Sequence, residues 1–121
     1  MPISTQSLGI LGEQLIANQL TTKGFTILAQ NYRKLGGEID IIATRKDVMV
    51  FVEVKTRRDP LFDMSEVITP SKQRKIISVA KLYIAENKIY DYVCQFDVAL
   101  IAWNDTNPEI NYIENAFNEG L

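Results

Sequence analysis

Apolar and polar positions follow a helical period in two segments of this chain. Residues 7–22 carry apolar side chains on nearly every side of a helix, which predicts a buried helix with Ser7 as its cap and a stop at Lys23-Gly24. A second helix is predicted from Pro70, capped by Thr69, to about 87–88. Its inward stripe at helical spacing comprises Gln73, Ile76, Ile77, Ala80, Tyr83 and Ile84.

The remaining apolar segments follow the period of two that is typical of strands. Strands are predicted at 25–32, twice within 37–55, at 92–103, and at a short edge position, 109–115, before a frayed tail. A polar loop with Arg57, Arg58, Asp59 and Pro60 follows the third strand. The order αβββαββ predicts an α/β fold, a mixed central sheet flanked by helices, and a single domain over residues 1–121.

Composition restricts the chemistry that this domain can perform. The 121 residues include no histidine and one cysteine, so zinc sites and histidine-based catalytic triads lose their usual ligands and bases. Cys94 lies in an apolar run, which favours a small buried residue over a nucleophile. No apolar run approaches the ~20 residues that span a bilayer, and no basic residue precedes Lys23, so we expect a cytoplasmic protein without membrane attachment.

Charge is distributed unevenly along the chain. The formal net charge is −2, but residues 23–90 carry +5 and residues 91–121 carry −6. One face of the protein could therefore be basic although the whole is slightly acidic. A solvated surface with a chance imbalance explains the same distribution equally well.

The hairpin predicted within residues 37–55 places charged groups where a core is expected. If residues 46–47 form a two-residue loop, Asp40 lies opposite Glu53 and Glu38 lies opposite Lys55. Directly opposed side chains have Cβ atoms ~5 Å apart, and two carboxylates at that distance destabilise a sheet unless a cation lies between them. Two carboxylates suit Mg²⁺, which keeps several waters and accepts phosphate oxygens. The hairpin therefore predicts a divalent metal site at Asp40 and Glu53.

Two further charged residues extend this hypothesis. Lys55 lies on the same strand face as Glu53, ~6.6 Å further along, where it can orient a water or stabilise charge on a phosphoryl group. Glu13 belongs to an apolar helical stripe and could ligate the metal directly or through water. Structural alternatives remain: a surface salt bridge between Glu38 and Lys55, and a Glu13 that extends to solvent.

The residues that carry a family resemblance are Gly12-Glu13, Gly37-Glu-Ile-Asp40-Ile-Ile and Val52-Glu-Val-Lys55-Thr-Arg57. With them the chain resembles, over nearly its whole length, the YraN family of predicted endonucleases. The Asp…Glu-x-Lys arrangement is similar to that of the restriction-endonuclease-like, or PD-(D/E)xK, superfamily. The resemblance implies an αβββαβ core, Asp40 and Glu53 as ligands of Mg²⁺ or Mn²⁺, Lys55 as the catalytic lysine, and Glu13 as an accessory acid.

The chain is also similar to archaeal Holliday junction resolvases, whose second helix supplies a polar residue that Gln73 matches. Resolvases need two active sites, so this similarity implies DNA as the partner and a homodimer. One departure from the family pattern concerns the later strand. Where the family usually shows Arg-Phe-Asp, this chain has Gln95-Phe96-Asp97. Among apolar neighbours, Asp97 is interpreted as a hydrogen-bonded structural acid first and as site support second, and Phe96 and Trp103 as core residues.

Basic residues flank the proposed site and are candidates for contacts with nucleic acid. They are Arg57, Arg58, Lys72, Arg74 and Lys75, on the loop and at the start of the second helix. Each is equally compatible with a solvated surface charge. Three hypotheses follow: a metal-dependent DNA endonuclease, a nuclease-fold module that binds nucleic acid without cutting it, and an adaptor whose acidic C-terminal part meets a basic partner.

Overall fold

The computed structural model describes residues 3–58 and 62–119. A five-stranded sheet in the order β1-β2-β3-β4-β5 forms its centre. Neighbouring strands are antiparallel except β3 and β4, which are parallel, so the predicted mixed sheet is confirmed. The elements are α1 (Thr5–Thr22), β1 (Thr26–Lys34), β2 (Gly37–Arg45), β3 (Val48–Arg57), α2 (Met64–Val67), α3 (Pro70–Asn87), β4 (Val93–Ala102) and β5 (Glu109–Phe117).

The ends of α3 agree with the sequence prediction. Thr69 caps the helix by accepting a hydrogen bond from the Lys72 backbone amide at 3.2 Å, and Pro70 occupies its first turn. Lys88 stops it in a left-handed conformation with φ of 52°. Its buried residues are Ile76, Ile77, Val79, Ala80 and Tyr83, whereas Gln73 and Ile84 of the predicted stripe are only partly buried.

Two predictions for α1 are wrong. The cap is Ser4, whose hydroxyl accepts from the Ser7 backbone amide at 3.1 Å, so the helix begins before Ser7. The helix is also not buried all round, since Ile10 is 53% exposed. Only one face meets the sheet, and the opposite face carries polar side chains. The buried face consists of Leu8, Gly12, Ile16, Ala17 and Leu20.

Two of the three apolar clusters among the described residues lie on opposite faces of the sheet. One lies under α1 and includes Ile41, Val52 and Ile101. The other lies under α3 and includes Phe51, with Phe96 stacked on it at 5.4 Å between ring centroids. The two helices therefore cover the two faces of β2 and β3.

The ends of β4 and β5 differ from the prediction. Cys94 is exposed, and so is Val93, because the buried part of β4 begins only at Phe96. β5 is an edge strand as predicted, but it continues to Phe117 instead of fraying after Asn115, since the Phe117 ring stacks on Phe96 at 5.2 Å.

The segment between β3 and α3 contains a short helix that the sequence did not predict. This helix, α2, is capped by Asp63 and buries Val67 against the sheet. Of the predicted polar loop, Asp59 and Pro60 lie outside the described residues, and Arg57 is the last residue of β3. None of the helices within the described ranges is long and apolar enough to cross a bilayer.

Candidate functional site

The β2–β3 hairpin has the two-residue loop that its sequence predicts. Arg45 pairs with Val48, Lys46 adopts a positive φ of 55°, and regular pairs continue as far as Ile41 and Val52. Asp40 and Glu53 are the next residues beyond this last pair. The hairpin therefore brings them to neighbouring positions on the two central strands.

The pleat of β2 is interrupted at Asp40. Ile39 and Ile42 both pack in the cluster under α3, although a regular strand would direct side chains three positions apart to opposite faces. On β1 the irregularity is matched by Asn31, which has a positive φ of 51°. The Asp40 carboxylate accepts a hydrogen bond from the Val54 backbone amide at 2.8 Å and is only 6% exposed. The side chain is thereby fixed toward β3.

The Asp40 and Glu53 side chains are in hydrogen-bond contact, and this contact raises the pKa of Asp40. Burial raises the pKa of Asp40 most, and the hydrogen bond with Glu53 and the charge of Glu53 raise it further. The hydrogen bond from the Val54 amide lowers it, and the resulting pKa is about 9. At neutral pH and without a bound cation, Asp40 therefore keeps its proton and donates a hydrogen bond to the Glu53 side chain. A divalent cation held by these two carboxylates would take the place of that proton.

Glu13 reaches the same region from α1. The Asn31 side-chain amide donates to Glu13 Oε1 at 2.8 Å and to Glu38 Oε1 at 3.2 Å, so it links two acids. Burial raises the pKa of Glu13, and the bond from Asn31 opposes this rise. Glu38 forms an ion pair with Arg33 at 3.5 Å, and no Glu38–Lys55 salt bridge is found in the described ranges. The structural alternative for Glu38 and Lys55 is therefore wrong.

These groups surround one cavity of about 470 Å³ at the end of α1. Four acids and two cations line it. Lys55 is the cation beside the carboxylate pair, and Arg57 lies further along β3 with its guanidinium 5.3 Å from the centre of the Phe62 ring. The lining comprises Thr5, Gly9, Glu13, Glu38, Asp40, Glu53, Val54, Lys55, Thr56 and Arg57.

The donor set fits a hard cation that retains water. Within the parts of the chain that the structure describes, no group of three or more acids is arranged as a complete metal-binding cluster. The site offers the carboxylates of Asp40 and Glu53 as direct ligands, and Glu13 close by. Mg²⁺ is commonly held by one or two carboxylates with waters and substrate oxygens completing its shell, so this pair is sufficient for it.

Several residues proposed from the sequence lie elsewhere. The Gln73 amide donates to Ile68 O at 3.3 Å and does not line the cavity. The Lys72 ammonium donates to Val67 O at 3.1 Å. Arg58 is exposed beyond the end of β3, while Arg74 and Lys75 line a separate groove on α3. Of the five basic candidates, only Arg57 lines the cavity that holds the carboxylate pair.

Sequence reasoning missed the contribution of β1. Asn31 positions Glu13 and Glu38, and Arg33 pairs with Glu38. A signal was available, because asparagine is disfavoured inside strands and is among the few residues that accept a positive φ. An asparagine within an otherwise strand-like segment therefore indicates a local distortion that serves another group.

Asp97 has the structural role that was preferred for it. It is 2% exposed and accepts hydrogen bonds from the Gln95 amide at 3.0 and 3.3 Å and from the Asn115 backbone amide at 3.0 Å. The Tyr112 hydroxyl also donates to it. Gln95, which stands where the family usually shows arginine, thus still supplies a donor to this acid. Phe96 is buried, and Trp103 packs partly buried on the cluster under α1, as expected.

Fold and site together define a class of protein. It is an α/β protein with a mixed five-stranded sheet and a helix on each face. Its site consists of a carboxylate pair shared by β2 and β3 and a lysine on β3. The model of the family described as "Uncharacterised protein family UPF0102" matches residues 12–101. The chain belongs to this family, which confirms the resemblance to the YraN proteins.

Relatives agree with that membership over nearly their full lengths. A UPF0102 protein of Francisella tularensis subsp. tularensis is 44% identical over 118 residues, which cover 95% of this chain and 97% of the relative. A UPF0102 protein of Alkaliphilus metalliredigens is 42% identical over 114 residues, or 93% and 99% of the two chains. UPF0102 protein CPE1705 of Clostridium perfringens is 39% identical over 115 residues, covering 93% and 94%.

Proposed function

We propose that this protein is a metal-dependent endonuclease that hydrolyses phosphodiester bonds in DNA, and that branched or repair intermediates are its substrates. The observation that carries the proposal is the contact between Asp40 and Glu53 beside Lys55 in one cavity. A buried carboxyl that must keep a proton beside another acid is costly to a sheet, and a divalent cation removes that cost. We propose that it acts in the cytoplasm. We also propose that it acts as a homodimer, which supplies two active sites.

Each residue has a definite task in this reaction. Asp40 and Glu53 would hold Mg²⁺ or Mn²⁺, which when bound supplies an activated water and neutralises charge on the phosphate. The Lys55 ammonium stabilises the negative charge that develops on the phosphoryl oxygens. Glu13, held by Asn31, accepts a hydrogen bond from a water in the cavity and orients it. The Val54 amide keeps Asp40 directed into the cavity.

A second function, a nucleic-acid-binding module with a nuclease-like fold and no activity, rests on a different observation. No third carboxylate completes a metal cluster in the described ranges, and Gln73 does not approach the pair. Such a module would keep the basic surfaces and would not need the cation. The two functions therefore differ in whether Mg²⁺ binds at Asp40 and Glu53.

Thermal melts with and without Mg²⁺ test this difference in wild type, Asp40→Asn and Lys55→Ala, with Asp91→Asn as a control that removes an exposed acid elsewhere. An ion that binds only the folded site raises stability, so we expect Mg²⁺ to stabilise wild type, Lys55→Ala and the control, but not Asp40→Asn. Cleavage of branched, single-stranded and duplex DNA should be lost in both site variants. Equal Mg²⁺ shifts in wild type and Asp40→Asn would favour the binding module.

A further inference from the structure

The turn between β1 and β2 presents an apolar side chain to solvent in an unfavourable conformation. Leu35 is 82% exposed, the highest value among the large apolar residues in the described ranges. Leu35 and Gly36 form a two-residue loop with φ of 51° and 74°. A loop with positive φ at both positions favours Asn-Gly or Gly-Gly, and a leucine there bears both steric strain and exposure. Neither is explained by packing.

Positive charges surround this leucine. Arg33 and Lys34 precede it, and Arg74 and Lys75 lie with it along a groove beside α3. Arg33 pairs with Glu38 and Lys34 pairs with Glu86 at 3.2 Å. Arg74 and Lys75 form no ion pair within the described ranges, so their charges remain available to an anionic partner.

The loop is held firmly in its position. A Cβ placed on Gly37, at the start of β2, would lie 2.7 Å from Val79 Cγ2 and 2.8 Å from Lys75 Cγ. The backbone of the hairpin therefore packs directly on α3, and only glycine permits this approach. An apolar side chain carried on a fixed backbone between cations is an arrangement that proteins use to separate stacked bases while they hold the flanking phosphates.

The loop is continuous with the carboxylate cavity. Glu38 lines both that cavity and the depression around Leu35. Asp40 is five positions after Leu35, so at ~3.3 Å per residue the two are at most ~17 Å apart. A nucleic acid that contacts one can reach the other.

We propose that Leu35 is a wedge that inserts between bases at a branch point or unpaired step of DNA, while Arg74 and Lys75 contact the neighbouring phosphates. The inference rests on the nucleic-acid binding in the proposed function, but not on cleavage. Nucleic acid is the partner that fits this surface. The apolar side chain is suited to contact bases, and the basic side chains beside it are suited to contact the phosphates on either side.

The test uses a four-way DNA junction with 2-aminopurine at the branch, and a continuous duplex of the same length. Both are titrated with wild type, Leu35→Asn and Val93→Thr in EDTA, so that binding is measured without cutting. Asparagine suits the positive φ of the loop, so the thermal midpoint should not fall. Val93 is 62% exposed at the opposite end of the sheet and serves as the matched control.

Leu35→Asn should bind the junction about tenfold more weakly and lose the rise in 2-aminopurine fluorescence, with duplex binding unchanged. Val93→Thr should behave as wild type.

Equal junction binding and fluorescence in wild type and Leu35→Asn would overturn the wedge alone. Wild type that binds neither DNA would overturn the proposed function together with the wedge, whereas binding without cleavage in Mg²⁺ would leave the wedge and refute only the nuclease. A sedimentation shift from dimer to monomer in Leu35→Asn, with unchanged DNA binding, would assign the loop to contact between copies.

Discussion

The Asp40 carboxyl group experiences opposing interactions at the scale of a single residue. Burial and Glu53 favour its neutral form, while the Val54 amide favours the charged form, and the balance raises its pKa to about 9. The carboxyl therefore stays protonated in the folded protein at a pH where an unfolded chain would release the proton.

This residue makes stability depend on pH. An unfolded aspartate has a pKa near ~3.9, so from there to about 9 the folded state binds one more proton than the unfolded state, and stability falls as pH rises. Asp40→Asn should remove this decline and should be more stable than wild type at neutral pH by ~0.5–1 kcal/mol. Urea denaturation between pH 5 and 9 in EDTA measures both effects. If the free energy of unfolding depended on pH in the same way in both proteins, the raised pKa of Asp40 would be refuted.

At the scale of elements, α1 and β3 meet at an unusually close contact. A Cβ placed on Gly12 would overlap Thr56 Oγ1 and lie 3.2 Å from Ile101 Cδ1. Thr56 Oγ1 is buried and has no hydrogen-bond partner within the described ranges. Because Glu13 follows Gly12, this contact also sets the height of Glu13 above the sheet. The glycine therefore serves the site through the position of the helix.

We expect Gly12→Ala to destabilise the protein by about 1–3 kcal/mol, since the added methyl group forces the helix away from the strand. Denaturant unfolding measures this loss. Thr56→Ala removes both the overlapping oxygen and the unpaired hydroxyl, so it should restore most of the stability in the double variant. Gly9→Ala is the matched control on the same helix, because a Cβ there meets nothing within 4 Å. Additive losses in the Gly12–Thr56 pair would refute the proposed contact.

At the scale of the whole molecule, the basic groups nearest the carboxylate cavity and Leu35 lie in two regions. Arg57 adjoins the carboxylate cavity, and Arg74 and Lys75 lie beside Leu35 on α3. Lys72, although close in sequence, uses its ammonium to bind Val67 O. A chain with a net charge of −2 can thus bind a polyanion through local surfaces.

The salt dependence of DNA binding measures this surface. Replacing Arg74 and Lys75 together by glutamine should weaken binding and reduce the slope of log affinity against log salt by about 2, because each lost phosphate contact on duplex DNA removes ~0.9. Lys46→Gln/Lys81→Gln removes the same charge at other surface positions and should change the slope little. Titrations of DNA with each protein at several salt concentrations measure these slopes. Equal slopes in the two double variants would show that Arg74 and Lys75 do not contact the DNA phosphates.

Local sequence signals determined much of this architecture. The caps of α3, the two-residue loop at 46–47 and the meeting of Asp40 with Glu53 follow from residues near one another in the chain. Turn geometry and the period of two set register without reference to the rest of the fold. The interpretation of Asp97 as a structural acid followed in the same way from its apolar neighbours.

Tertiary structure alone decided the features that depend on residues distant in the chain. The exposed outer face of α1 follows from the sheet covering one side of it, and exposed Cys94 from a core that begins at Phe96. Asn31 became a partner of Glu13 because α1 packs against the sheet. Propensity and periodicity describe a segment in isolation, whereas burial and side-chain partners arise only when separate segments pack together.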